Sequence, residues 1–198
     1  MQYDFSAFHS SFKDYQVFQF VNTGIMTELQ LRNAAKAEST GAEASFQAMA
    51  TKNLSIGGSI GIVRAVFKSF PGGLTGGGDA SGKYLPDAPD MTTALTMNYS
   101  MPAPSMSGRL EFYGEYSHRS KAFNGVDNIE ATDGISSRNV VNTRVSFASN
   151  NTPLVLSLWA RNLFNNSYTT AHGRSFFGNQ YVKRGDPRAF GIEGKFSF

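Results

Sequence analysis

The side chains with chemical potential are few and widely spaced. Gly77-Gly78-Asp79-Ala80-Ser81-Gly82-Lys83 follows most of the pattern G-x-x-x-x-G-K-[ST], in which backbone N–H groups cradle phosphate. Tyr84 stands where the metal-holding hydroxyl is needed, and Leu85-Pro86 leave no helix to start there. The expectation is a Gly-rich surface loop. His9, His118 and His172 have no metal-ligand spacing, and the chain contains 0 cysteines. Glu111 and Glu115 alternate with Arg109 and Arg119. Paired carboxylates can do acid–base work, but interleaved with arginines on one face of a strand they make a solvated charge ladder. No G-x-S-x-G elbow or Ser-His-Asp grouping occurs. The reading is therefore not an enzyme, with no metal and no cofactor.

A binding role has one candidate stretch. Arg174, Phe176, Phe177, Tyr181, Lys183 and Arg184 place aromatic and basic groups within one connection. The other reading of that stretch is an ordinary surface loop.

The elements that would position these residues repeat every two residues. From Gly108 to Arg119, Leu110, Phe112, Gly114, Tyr116 and His118 take one face, and Arg109, Glu111, Tyr113, Glu115 and Ser117 the other. That alternation marks a strand between an apolar medium and water. It recurs at Ala42–Ala48, Leu54–Ile62, Met91–Tyr99, Val141–Phe147, Leu154–Arg161 and Phe190–Phe198. The first segment, Tyr3 to Phe20, changes register near Lys13. Short connections near Thr51–Asn53, Met101–Ser105 and Ala148–Pro153 alternate with long ones near Val21–Glu28, Phe70–Pro89, Asn124–Ser136 and Asn165–Asp186. Outer-membrane barrels sort their turns and loops in this way. The predicted class is all-β: an antiparallel up-and-down transmembrane β-barrel of about eight strands.

Composition agrees. Among 198 residues only 17% are charged and 13% aromatic, with 17 Phe and 8 Tyr against 1 Trp. A net charge of +3 with scattered Lys and Arg gives no nucleic-acid footprint. No apolar run approaches the roughly 20 residues of a spanning helix. Met1 is followed by Gln2, Tyr3 and Asp4, not by a basic segment and an apolar core. The chain is thus expected to be either cytosolic or a piece without its N-terminal part.

Motifs add a family. Trp159-Ala160-Arg161-Asn162-Leu163-Phe164-Asn165-Asn166-Ser167-Tyr168 resembles the "k-N-L-F-d-x-x-Y" segment of TonB-dependent receptors. Gly185-Asp186-Pro187-Arg188-Ala189-Phe190-Gly191-Ile192 resembles the start of their last strand. Asn33–Glu43 and Phe8–Gln16 resemble further strands of the same family, and Gly82–Pro89 the element that leads into one. The resemblance implies that residues 1–198 are the last part of a 22-stranded barrel of the bacterial outer membrane, without its plug and TonB box. It implies uptake of a scarce ligand, most simply an iron–siderophore complex, with TonB reached only through missing N-terminal parts. It implies that Phe196 and Phe198 belong to the signal read by the barrel-assembly machinery. Within the motifs, Asn162 is expected to end its strand by local hydrogen bonds, and Arg188 to form a rim ion pair with Asp186. Two alternatives stand beside this one: a self-contained eight-stranded outer-membrane barrel with a structural or adhesive role, and a soluble lipocalin-like binding barrel.

Overall fold

The computed structural model describes residues 1–22, 27–174 and 179–197. Its framework is one 8-stranded antiparallel sheet. In chain order the strands are β1 (Gln2–Asn22), β2 (Thr27–Thr51), β3 (Leu54–Ser69), β4 (Met91–Ala103), β5 (Gly108–Arg119), β6 (Ala122–Phe123), β7 (Gly134–Ile135), β8 (Arg138–Ser149), β9 (Leu154–Arg161), β10 (Thr169–Arg174), β11 (Gln180–Arg184) and β12 (Ala189–Phe196). The sheet order β1-β2-β3-β4-β5-β8-β9-β12 is a meander. The pairs β6–β7 and β10–β11 are separate hairpins carried on the long connections.

Cross-strand register keeps the two faces apart. Ala44 pairs with Ile60, Ile56 with Met97 and Tyr99 with Phe112 on one face. Ser45 pairs with Ser59, Thr96 with Glu115 and Ser146 with Ser157 on the other. The apolar face is exposed: Phe5 is 77% accessible, Leu158 58% and Ile192 80%. A soluble barrel would bury such side chains inside, because each one left in water forfeits about 1.5–3 kcal/mol. Gly58 does not gap this face, since the Phe46 ring and the Leu95 side chain fill the space its side chain would take. The polar face lines a trough of about 1030 Å³ with Arg109, Glu111, Arg144, Trp159, Glu193 and Lys195 among its walls. The apolar face is called outer below and the polar face inner.

Several sequence expectations change in detail. The long connection expected at Val21–Glu28 is strand at both ends, since Val21 pairs with Glu28 and Asn22 with Thr27, while residues 23–26 lie outside the described residues. β4 continues through Met101 and Pro102, and a 3-10 turn at Pro104–Met106 makes the reversal. The disturbance near Lys13 is not a slip in pairing, since Lys13 meets Lys36 and Tyr15 meets Ala34 in unbroken order. Asp14 instead adopts φ 52°, which breaks the alternation of faces. Phe12 and Tyr15, three residues apart, consequently meet with their rings tilted and their centroids 5.9 Å apart.

Phe70–Pro89 was expected to be a polar loop. It carries buried residues of its own instead. Phe70, Ala80 and Leu85 pack with Val17, Ala37, Ala65, Phe67 and Val126 into a small core. Ala37, Ala65 and Phe67 lie on the inner face, so the core caps the trough side at the long-loop end. The Phe67 and Phe70 rings are 5.1 Å apart. β1 and β12 form the two edges of the sheet and do not pair with each other among the described residues. Closure of eight strands into a barrel is thus not what this sheet does.

Candidate functional site

All long connections lie at one end, as the meander requires, and side-chain amides stitch them together. Asn128 accepts from the Tyr84 N–H at 2.6 Å and donates back to the Tyr84 carbonyl at 3.2 Å. Asp127 accepts from the Thr75 N–H at 2.9 Å. Asn124 donates to the His172 carbonyl and accepts from the His172 N–H. The connection after β5 therefore holds the one after β3 on one side and the β10–β11 hairpin on the other. Asn128 takes φ 53°, which Asn tolerates better than most residues. The sequence reading missed Asn124, Asp127 and Asn128; a cluster of Asn and Asp between strands was its only signal, and that signal also marks any turn.

Asn162 closes the last connection. It is 3% accessible with φ 46°. Its amide donates to the carbonyls of Asn166 and Asp186 at 2.9 and 3.0 Å and accepts from the Asn166 N–H at 2.8 Å. It thereby ends β9 and sets the entry to β12. Arg188 does not form the expected ion pair with Asp186. Its guanidinium donates to the Leu163 carbonyl at 3.4 Å and lies 5.5 Å from the Phe190 ring centroid. Just ahead of β12, Arg188 is taken up by the Leu163 carbonyl and the Phe190 ring instead of the Asp186 carboxylate.

The ligand candidates are only partly brought together. Tyr181, Lys183 and Arg184 lie on β11, and Arg174 is the last residue of β10. By alternation Tyr181 and Lys183 share a face and Arg184 takes the other. The Tyr181 ring lies against Gly173, its cross-strand partner. Phe176 and Phe177 lie outside the described residues, as does Phe198. Phe196 pairs with Leu154 on the outer face and is 55% accessible.

The other sequence candidates resolve without chemistry. In Gly77–Lys83 the N–H groups of Gly77, Ala80, Gly82 and Lys83 already donate to the carbonyls of Leu74, Phe70, Phe67 and Ala80. None of these is available to a phosphate. Asp79 accepts from the Ser81 N–H and hydroxyl at 2.8 and 2.6 Å, and these bonds hold its carboxyl below the ordinary value. His9 meets Thr40 and His118 meets Asn139 on separate strands. No group of three or more potential metal ligands exists among the described residues. In the trough, the ion pair among described residues joins Arg144 to Glu193 at 3.1 Å, while Glu111 and Glu115 stay unpaired with Arg109 and Arg119. The Trp159 indole fills the space beside Gly191, with Arg161 5.2 Å from its ring centroid.

Comparison with known proteins agrees with this architecture. No curated protein sequence matches the chain. Among solved structures, the ferric yersiniabactin uptake receptor FyuA from Yersinia pestis superposes with a TM-score of 0.78 at 17% identity, over 99% of this chain and 27% of that one. The siderophore receptor PiuA from Acinetobacter baumannii gives 0.70 at 16%, over 97% and 25%. The copper transporter OprC gives 0.72 at 17%, over 100% and 30%. The chain thus spans between a quarter and a third of these relatives' length. The family model described as TonB dependent receptor-like, beta-barrel matches residues 1–163. The chain belongs to the TonB-dependent receptors of the bacterial outer membrane, through their β-barrel.

Proposed function

We propose that residues 1–198 form the C-terminal wall of a receptor barrel of about 22 strands, which takes up a scarce chelated metal, an iron–siderophore complex first. The observation that supports this most is the division of the sheet. An outer apolar face suits lipid, an inner charged trough suits a polar filling, and the long connections gather at one end. A plug inside the barrel would meet Arg109, Glu111, Arg144 and Glu193. Coupling to TonB would pass through that plug. Phe196, on β12, and Phe198 beyond it would be read by the assembly machinery. The role is binding and transport, not catalysis.

Arg174, Phe176, Phe177, Tyr181, Lys183 and Arg184 are the proposed ligand contacts. Cations beside an exposed Tyr181 suit an anionic chelate with aromatic rings. The same basic and aromatic chemistry suits an anionic chelate better than a bare copper ion, which takes imidazole, thioether or thiolate donors. The test is uptake by iron-starved cells carrying or lacking the gene, across a panel of radiolabelled ferric siderophores. Loss of one siderophore's uptake, restored by the gene, is the expected result. Unchanged uptake of every ferric siderophore, with loss of copper uptake instead, would contradict the ligand class.

A further inference from the structure

The outer face of β1–β3 carries a patch that ligand uptake does not use. Below it the face is apolar: Tyr3, Phe5 and Ala7 on β1, Ala42 to Ala48 on β2, and Leu54 to Ile62 on β3. On β3 this band covers about nine residues, the length of a tilted spanning strand. Continuing toward the long loops, the same face becomes basic. The first row across the strands is His9, Thr40 and Arg64, with His9 and Thr40 joined at 2.7 Å. The second row is Lys13 and Lys36, directly opposite each other, with Lys68 beside them. Lys68 projects from a bulge, since Lys36 pairs with Ser69 and Ala37 with Phe67. Glu38, between the rows, binds Lys68 at 3.4 Å. Lys13, Lys36 and Arg64 are exposed and have no carboxylate within reach among the described residues.

Like charges placed directly opposite on adjacent strands destabilise a sheet. Lys13 facing Lys36, with Lys68 added by a bulge, concentrates positive charge where anions at a membrane surface would neutralise it. The rows lie about four residues apart, or roughly 13 Å along the strand and about 10 Å along the membrane normal at the usual tilt. A phospholipid headgroup layer is only about 5–8 Å deep. Two cation rows at this separation match a headgroup with phosphates at two depths. We propose that this patch binds a phosphorylated glycolipid of the outer leaflet, the phosphates nearest the acyl chains meeting Arg64 and His9 and those on the sugars meeting Lys13, Lys36 and Lys68. The inference rests on the outer face meeting lipid, which label accessibility tests separately.

The test uses the whole receptor purified from outer membranes and stripped of lipid in neutral detergent. Its melting temperature is measured with lipopolysaccharide, chemically dephosphorylated lipopolysaccharide, phosphatidylglycerol or inorganic phosphate. Lipopolysaccharide should raise Tm and the other three should not. Replacing Lys13, Lys36, Arg64 and Lys68 by Gln together should weaken lipopolysaccharide binding at least tenfold, whereas the trough variant Lys52→Gln/Lys195→Gln should bind like wild type. Should the fourfold variant not assemble, Lys36→Gln alone relieves the opposed pair. It should raise Tm in detergent and shrink the lipopolysaccharide shift. An equal shift from phosphatidylglycerol or inorganic phosphate, an equal shift after dephosphorylation, or an unchanged response of Lys36→Gln would each overturn the proposal.

Discussion

Asn162 shows how one side chain joins two strands. Its buried amide makes three hydrogen bonds, and its backbone sits in the left-handed region. Asn162→Gly keeps the backbone free and removes the amide; Asn162→Ala loses both. We expect each to destabilise the barrel by about 1–3 kcal/mol, with Ala worse than Gly by about 1 kcal/mol, measured by urea unfolding in detergent. Equal stability of all three would contradict this role. The site of Asn162 was legible because an Asn at a strand end suggests local capping. The fate of Arg188 was not, because the direction of a long side chain depends on which distant groups the fold brings within its reach, here the Leu163 carbonyl and the Phe190 ring. Asp79 makes a smaller prediction. Its folded carboxyl titrates below the ordinary 3.8, so the stabilisation it gives is complete above that value and is lost as pH falls through the folded pKa. Exchange of the Ser81 amide, corrected for intrinsic rates, should accelerate below about pH 4 in the wild type, and Asp79→Asn should abolish that dependence.

At the scale of elements, strands were readable and loops were not. All eight sheet strands follow from period-two alternation, since a face in lipid and a face in water demand it. Phe70–Pro89 reads as polar because its glycines dominate the stretch, yet Phe70, Ala80 and Leu85 find partners on β1–β3 that no local pattern reveals. The same holds for the ties made by Asn128. Asn128→Ala should release the Tyr84 amide and speed its hydrogen exchange at least tenfold, leaving the amides of β4 and β5 protected. Exchange unchanged at Tyr84 would show that the core, not Asn128, holds this connection. Trp159 and Gly191 couple β9 to β12. A methyl group at Gly191 would occupy the space of the indole, so Gly191→Ala should cost about 1–3 kcal/mol and shift Trp159 fluorescence. Trp159 is the one Trp of these 198 residues, and its signal is read as the difference from a Trp159→Phe receptor.

For the whole molecule, the sheet's two edges matter most. An open edge in a bilayer leaves backbone N–H and C=O groups unsatisfied at several kcal/mol each. β1 and β12 therefore require further strands in the membrane, which the proposed receptor barrel supplies. Which face meets lipid could not be read from periodicity alone, because alternation is symmetric under exchange of inside and outside. The exposed Phe5, Leu158 and Ile192 and the charged trough decide it. Residues 1–198 contain 0 cysteines, so single cysteines can be introduced here once any cysteine elsewhere in the receptor is replaced. The most direct measurement is spin-label accessibility at Ser59, Ile60, Leu95, Thr96, Ser157 and Leu158 in the intact receptor in bilayers. The account predicts high accessibility to oxygen at 60, 95 and 158 and to a water-soluble nickel complex at 59, 96 and 157. The reverse pattern, or no alternation, would contradict it.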